Sequence, residues 1–142
     1  MIVADTNVLS EPLRKAPSAA VLAWLADNGP ELAITTVTVS ELLYGVRRLP
    51  EGRRRTNLTE AVERLIRAAQ DRLLDYDEEA ARAHASIRVA RAAAGRATSV
   101  EDGMIAAIAA SQGAVVATRN VADFAGFGVE VVNPWDEPAS AE

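Results

Sequence analysis

The chain has 142 residues, 49% of them hydrophobic, and a net charge of −5. That suits one globular domain with a full core. It has no cysteine and a single histidine, His84, which excludes disulfides, thiolate metal sites, cysteine nucleophiles and zinc sites built from several histidines.

Met1–Ala4 is a short apolar run ending at Asp5 and reads as a buried strand. It carries no basic n-region or signal-type cleavage site, and no apolar run reaches the roughly 20 residues needed to span a bilayer, so a cytoplasmic protein is expected. A short helix follows from Asn7, with Pro12 near its end. Pro17 and Ser18 start a second helix through about Asn28, where Asn28-Gly29-Pro30 stops it. Leu32–Thr36 is a second strand, and Thr38 to about Leu49 a third helix. Thr56–Gln70 is amphipathic, with Val62, Leu65, Ile66 and Ala69 on its apolar face.

Arg72–Tyr76 holds a short strand, and Asp77–Ala94 is helical, acidic at its start and basic at its end, as the helix dipole favours. Gly95 is its expected cap. Ser99–Gln112 is an apolar, buried helix, ended by Gly113. Ala114–Ala117 and Val129–Val132 are the last strands. Strands alternating with helices predict an α/β protein with a central, mainly parallel sheet of four to five strands flanked by helices. One domain is expected over 1–135, with a polar, frayed tail at 136–142.

Four acidic residues lie where strands hand over to helices: Asp5, Glu41, Asp102 and Asp123. Singly, each is best explained by helix capping. Thr38-x-x-Glu41 matches a capping box, Ser99-x-x-Asp102 and Asn120-x-x-Asp123 have the same spacing, and Asp5 can cap the first helix alone. Jointly they say more, because the carboxyl ends of strands in an open α/β sheet form its ligand-binding edge. Carboxylates gathered there repel one another unless a cation sits among them. Oxygen ligands without histidine or cysteine suit Mg²⁺ or Mn²⁺. One or two such ions support water attack on a phosphodiester without a side-chain nucleophile.

The segments IVADTNVLS, VSELLYG, EDGMIAA and TRNVADF, with the terminal VVNPW, resemble the PIN-domain ribonucleases, most closely the VapC-like and FitB-like toxins of bacterial toxin–antitoxin pairs. The resemblance runs from Ile2 to about Trp135. It implies a PIN-like fold and a Mg²⁺- or Mn²⁺-dependent endoribonuclease with Asp5, Glu41, Asp102 and Asp123 as the acidic quartet that carries metal and catalysis. Asn7 and Thr118 match supporting polar positions. The resemblance also implies a homodimer and a small VapB-like antitoxin, with operator DNA reached only through that antitoxin. A PIN-type nuclease of RNA processing, or a silent binding module, is the alternative.

Other residues carry weaker signals. Arg119 lies beside the proposed site and reads equally as a holder of an RNA phosphate or as a surface arginine with no special contact. The chain has fourteen arginines and one lysine, Lys15, a usage that coding bias also explains. Arg47, Arg48, Arg53, Arg54 and Arg55 read as a solvated turn rather than an RNA-binding strip. His84 reads as structural, and Thr6 and Ser10 have no partner arrangement that would make them nucleophiles. Trp24, Tyr44 and Trp135 read as core or interface anchors, and Gly45 as a site of close helix packing. A phosphoacceptor receiver domain needs a lysine near the last strands, where none occurs. A phosphatase with an aspartate nucleophile needs an acid where Asn7 stands.

Overall fold

The computed structural model describes residues 1–96 and 99–136. Its strands are β1 (Ile2–Ala4), β2 (Leu32–Thr35), β3 (Leu73–Leu74), β4 (Val115–Ala117) and β5 (Val131–Val132). All neighbours pair in parallel, in the order β3-β2-β1-β4-β5. The helices are α1 (Thr6–Ser10), α2 (Ala19–Asn28), α3 (Thr36–Arg47), α4 (Arg53–Ala68), α5 (Glu78–Ala93), α6 (Val100–Ser111) and α7 (Val121–Phe124). The expected α/β sheet is thus present, with five strands, the upper end of the four to five expected, and it is entirely parallel. No helix among the described residues is long and apolar enough to cross a membrane.

The strands are nearly continuous apolar runs because helices cover both faces of the sheet. Side-chain alternation along β1 and β4 sends Val3 and Val116 into a core with Ile87 of α5 and Ile105 and Ile108 of α6. Ala4 and Ala117 point the other way, against Val8 of α1 and Trp24 of α2. A third cluster joins Ile34 of β2 to Leu42 and Val46 of α3 and to Val62 and Ile66 of α4. Ile105, Ile108 and Phe124 are essentially fully buried, each contributing about 1.5–3 kcal/mol of apolar transfer.

Helix ends follow their sequence signals closely. Ser18, Asp77 and Ser99 cap α2, α5 and α6 with side-chain oxygens. Gly95 and Gly113 follow α5 and α6 with φ of 69° and 62°. The next amides, Arg96 and Ala114, then reach back to the carbonyls of Arg91 and Ala109, which satisfies carbonyls the helix leaves open.

Three departures from the sequence reading stand out. Short 3-10 turns occupy Glu11–Leu13, Gly29–Glu31 and Gln70–Arg72, the first two opened by Pro12 and Pro30. Helix α4 begins at Arg53 rather than Thr56, so only the front of the RRLPEGRRRT segment is a turn. Gly45 is not a close-packing site, since an added Cβ there would meet nothing within 4 Å. The expected tail beyond Asp136 lies outside the described residues.

Strand order reverses between β1 and β4, which are neighbours although first and fourth in the chain. That makes the carboxyl ends of β1 and β4 the switch point where open α/β sheets bind ligands. Asp5 follows β1 there, and Thr118 follows β4.

Candidate active site

Asp5 is held from three directions. Its amide donates to the carbonyl of Ala117 at 2.9 Å. Its Oδ1 accepts from the Thr6 amide at 2.7 Å, which makes it the cap of α1. Its Oδ2 accepts from the Thr118 hydroxyl at 2.8 Å. Asp5 is 4% exposed and Thr118 fully buried. The Thr118 oxygen also accepts from the Asn120 amide at 3.0 Å, so one hydroxyl ties the loop after β4 to Asp5. Asn7 supports the same loop, its Oδ1 accepting from the Arg119 amide at 3.4 Å.

Glu41 is placed differently from the capping box expected of it. Thr35, not Thr38, caps α3, its side chain accepting from the Thr38 amide at 3.1 Å. Strand β2 ends one residue earlier than expected, so α3 begins at Thr36 and Glu41 falls in its second turn. Capping therefore does not explain Glu41. Its Oε1 accepts from the Thr6 hydroxyl at 2.8 Å, and the Thr38 hydroxyl lies 3.3 Å from those of Thr6 and Thr35. Thr6 and Thr38 were missed as site residues; the threonines in DTN and TTVT were the only sequence signal for them. Replacing Thr35 with Ala is expected to destabilise the protein by about 1–2 kcal/mol in urea unfolding, with Ser retaining most of the stability.

Asp102 sits in the first turn of α6, where its amide donates to Ser99 Oγ at 3.1 Å. Asp123 is exposed in the short helix α7, and no side chain caps that helix. Glu101, adjacent to Asp102, is a further exposed carboxylate that the sequence reading passed over.

The carboxylates act on one another across the site. Burial pushes the Asp5 carboxyl up, the bonds from Thr118 and Thr6 pull it back, and Asp123 raises it again. Burial also raises Glu41, offset by Thr6 and reinforced by Asp5, Asp102 and Glu101. Burial, then the charge of Asp5, raises Asp102, with Asp123 and Glu101 adding to it. Asp5, Glu41, Asp102 and Asp123, together with Glu101, therefore share one electrostatic neighbourhood. The ion pairs among the described residues involve none of them.

Like charges held together, in no ion pair among the described residues and presenting only oxygen donors, fit a hard divalent cation. Among the described residues no three Asp, Glu or His side chains close on one point as they stand. Such an arrangement still suits Mg²⁺, which characteristically binds through one or two carboxylates and keeps several waters.

Arg119 is exposed at the rim, its guanidinium 5.1 Å from the ring centroid of Trp135. His84 is buried, as a structural residue should be. Its Nδ1 lies 2.8 Å from the Tyr76 hydroxyl, and burial followed by Arg88 lowers its pKa. Trp24 is a core residue and Trp135 is half-buried, but Tyr44 is 68% exposed and anchors no core.

A family model described as PIN domain matches residues 2–126. The chain belongs to the PIN domain family, whose nucleases are generally metal-dependent. Within it, the chain falls in the branch of VapC- and FitB-like proteins. It is 39% identical to the VapC ribonuclease Y4jK of Sinorhizobium fredii over 141 residues, 98% of this chain and 100% of that protein. It is 38% identical to the toxin FitB of Neisseria gonorrhoeae over 139 residues, 96% and 100% of the two chains. Among solved structures, FitAB bound to an IR36 DNA fragment superposes with a TM-score of 0.92 at 36% identity, covering 99% of this chain and 100% of that one.

Proposed function

We propose that this chain is a metal-dependent endoribonuclease acting in the cytoplasm as the toxin of a toxin–antitoxin pair. A small VapB-like antitoxin holds it inactive and carries the pair to operator DNA. The carrying observation is the gathering of carboxylates at the switch point: Thr6 binds Asp5 through its amide and Glu41 through its hydroxyl, Thr118 holds the other Asp5 oxygen, and Asp102 lies near enough for its charge to act on Glu41, while none of the three is in an ion pair among the described residues. The relatives named as a VapC ribonuclease and a toxin, matched over nearly their whole length, support the toxin assignment. The domain spans 1–135, and two copies form a homodimer.

In this reading Asp5, Glu41 and Asp102 hold Mg²⁺ or Mn²⁺, and Asp123 completes the site directly or through water. The bound cation supplies positive charge that lowers the pKa of water and offsets charge on the phosphodiester. The chain's own residues do the positioning. Thr118 and the Thr6 amide fix the two Asp5 oxygens, and the Thr6 hydroxyl fixes Glu41. Asn7 orders the backbone at Arg119, whose side chain holds a phosphate of the RNA. No side-chain nucleophile is needed, and water attack releases the 3′ oxygen of the upstream nucleotide.

The purified protein is expected to cut single-stranded RNA with Mg²⁺ or Mn²⁺ and to stop when EDTA is added. Its expression is expected to arrest growth unless the antitoxin is co-expressed. Intact RNA in the presence of either metal overturns the nuclease reading. Cleavage without growth arrest overturns the toxin role and favours a nuclease of RNA processing. A silent module whose acids only cap helices is disfavoured by Glu41, which caps nothing.

A further inference from the structure

The chain contains two Trp, two Tyr and two Phe. Of these large rings Tyr44 alone is more than two-thirds open to solvent. It lies on α3 three residues after Glu41 and four before Arg48, spacings that put all three on one helix face. The Arg48 guanidinium stands 5.7 Å from the Tyr44 ring centroid, within cation–π reach. These residues line a cleft of about 750 Å³ that also takes in Thr6, Tyr76 and Glu101. That volume lies within the roughly 300–1,000 Å³ typical of pockets for small organic ligands. Gly45 keeps the wall beside Tyr44 bare, with open space where a Cβ would project. The Tyr76 ring in its lining is fixed by its hydroxyl bond to His84 and by an edge-to-face contact with the imidazole.

An exposed ring on a helix seldom persists for packing reasons when its neighbours are Glu41, Gly45 and Arg48. Single-stranded RNA needs two things beside a cleavage site: a π-face for an unpaired base and a cation for the adjoining phosphate. Tyr44 and Arg48 supply both, one and two turns along from Glu41, with Arg48 capping the end of α3. Arg48 also places a positive charge in the cleft that Glu41 and Glu101 line, where the RNA backbone needs one.

We propose that Tyr44 is the stacking platform for an unpaired nucleobase flanking the scissile bond, and that Arg48 holds the phosphate next to that base. This rests on the nuclease reading for the identity of the bond but not for the binding of RNA. Stacking accepts any base, so Tyr44 sets affinity rather than sequence choice.

The test uses a fluorescent single-stranded RNA of mixed sequence and the full-length protein. Tyr44→Ala is expected to raise KM about tenfold with kcat nearly unchanged, while Tyr44→Phe and Tyr44→Trp stay within about threefold of wild type. Arg48→Ala is expected to weaken binding and to lower the salt dependence by about one counterion. Equilibrium binding is measured separately in an Asp5→Asn background, so it does not depend on cleavage. An abasic position scanned across the RNA should cost affinity at one flanking nucleotide in the Tyr44 protein and nothing further there in Tyr44→Ala. Equal affinity of the two proteins for RNA overturns the proposal. So does an abasic cost that is the same in both, accompanied by a dimer-to-monomer change in sedimentation, which would assign Tyr44 to a contact between copies. Wild type that binds RNA with this signature but never cuts it would sink the nuclease reading and leave Tyr44 in place.

Discussion

Asp5→Asn is expected to lower RNA cleavage by about a thousandfold, roughly 4 kcal/mol of transition-state stabilisation, and to leave the fold intact. Asp5 is the most buried of the four acids. It is the one whose two oxygens are both held, by the Thr6 amide and the Thr118 hydroxyl. Asn keeps an oxygen to accept from Thr6, and the Thr118 hydroxyl can turn to accept from the new amide. What disappears is a charge that burial already penalises. The variant should therefore melt no lower than wild type within about 1 kcal/mol, because the mutation removes charge rather than volume. Equal cleavage by clean preparations of both proteins would contradict the role given to Asp5.

The second large effect is on stability and couples metal to pH. Burial and mutual repulsion raise the pKa values of Asp5, Glu41 and Asp102 above their unfolded values. A raised carboxyl favours the fold when protonated. Its contribution is fully present below the unfolded pKa, 3.8 for Asp and 4.5 for Glu, and is lost as pH rises through the folded value. The metal-free protein should therefore lose stability from these three groups as pH climbs from the carboxylate range toward neutrality. Mn²⁺ reverses the sign, since it binds the ionised carboxylates. At a hundredfold excess over its Kd it should add about 2.7 kcal/mol near neutral pH. That gain should fade on acidification and shrink in Asp5→Asn. Thermal melts with EDTA or Mn²⁺ across pH measure it, and a gain that is absent or independent of pH would contradict the site.

Much of this was legible in the residues. The apolar runs at IVA and VVA and the MIAAIAA stretch of α6 could hardly be anything but buried strands and a buried helix. Ser18, Asp77 and Ser99 announced their helices by cap chemistry. The start of α4 was not legible, because Arg53, Arg54 and Arg55 in a first turn oppose the helix dipole and Gly52 provides no side-chain cap. Nor was the cap of α3. The TTVT run offers several threonines, and a strand ending one residue early moves the cap from Thr38 to Thr35. That small shift takes Glu41 out of the first turn and strengthens its functional reading. Thr6 looked only like a failed nucleophile, since its part in holding Glu41 spans 35 positions. The exposure of Tyr44 was not legible, because spacing alone does not say which face of α3 meets solvent.

The central claim is that acids of this site, with a divalent cation, direct water at a phosphodiester. End-group analysis of the RNA products tests it most directly. Metal-assisted water attack predicts 5′-phosphate and 3′-hydroxyl ends, formed by wild type with Mn²⁺ and lost with EDTA. Products ending in 2′,3′-cyclic phosphate, formed equally well in EDTA, would mean that the RNA's own 2′-hydroxyl is the nucleophile and would contradict the account.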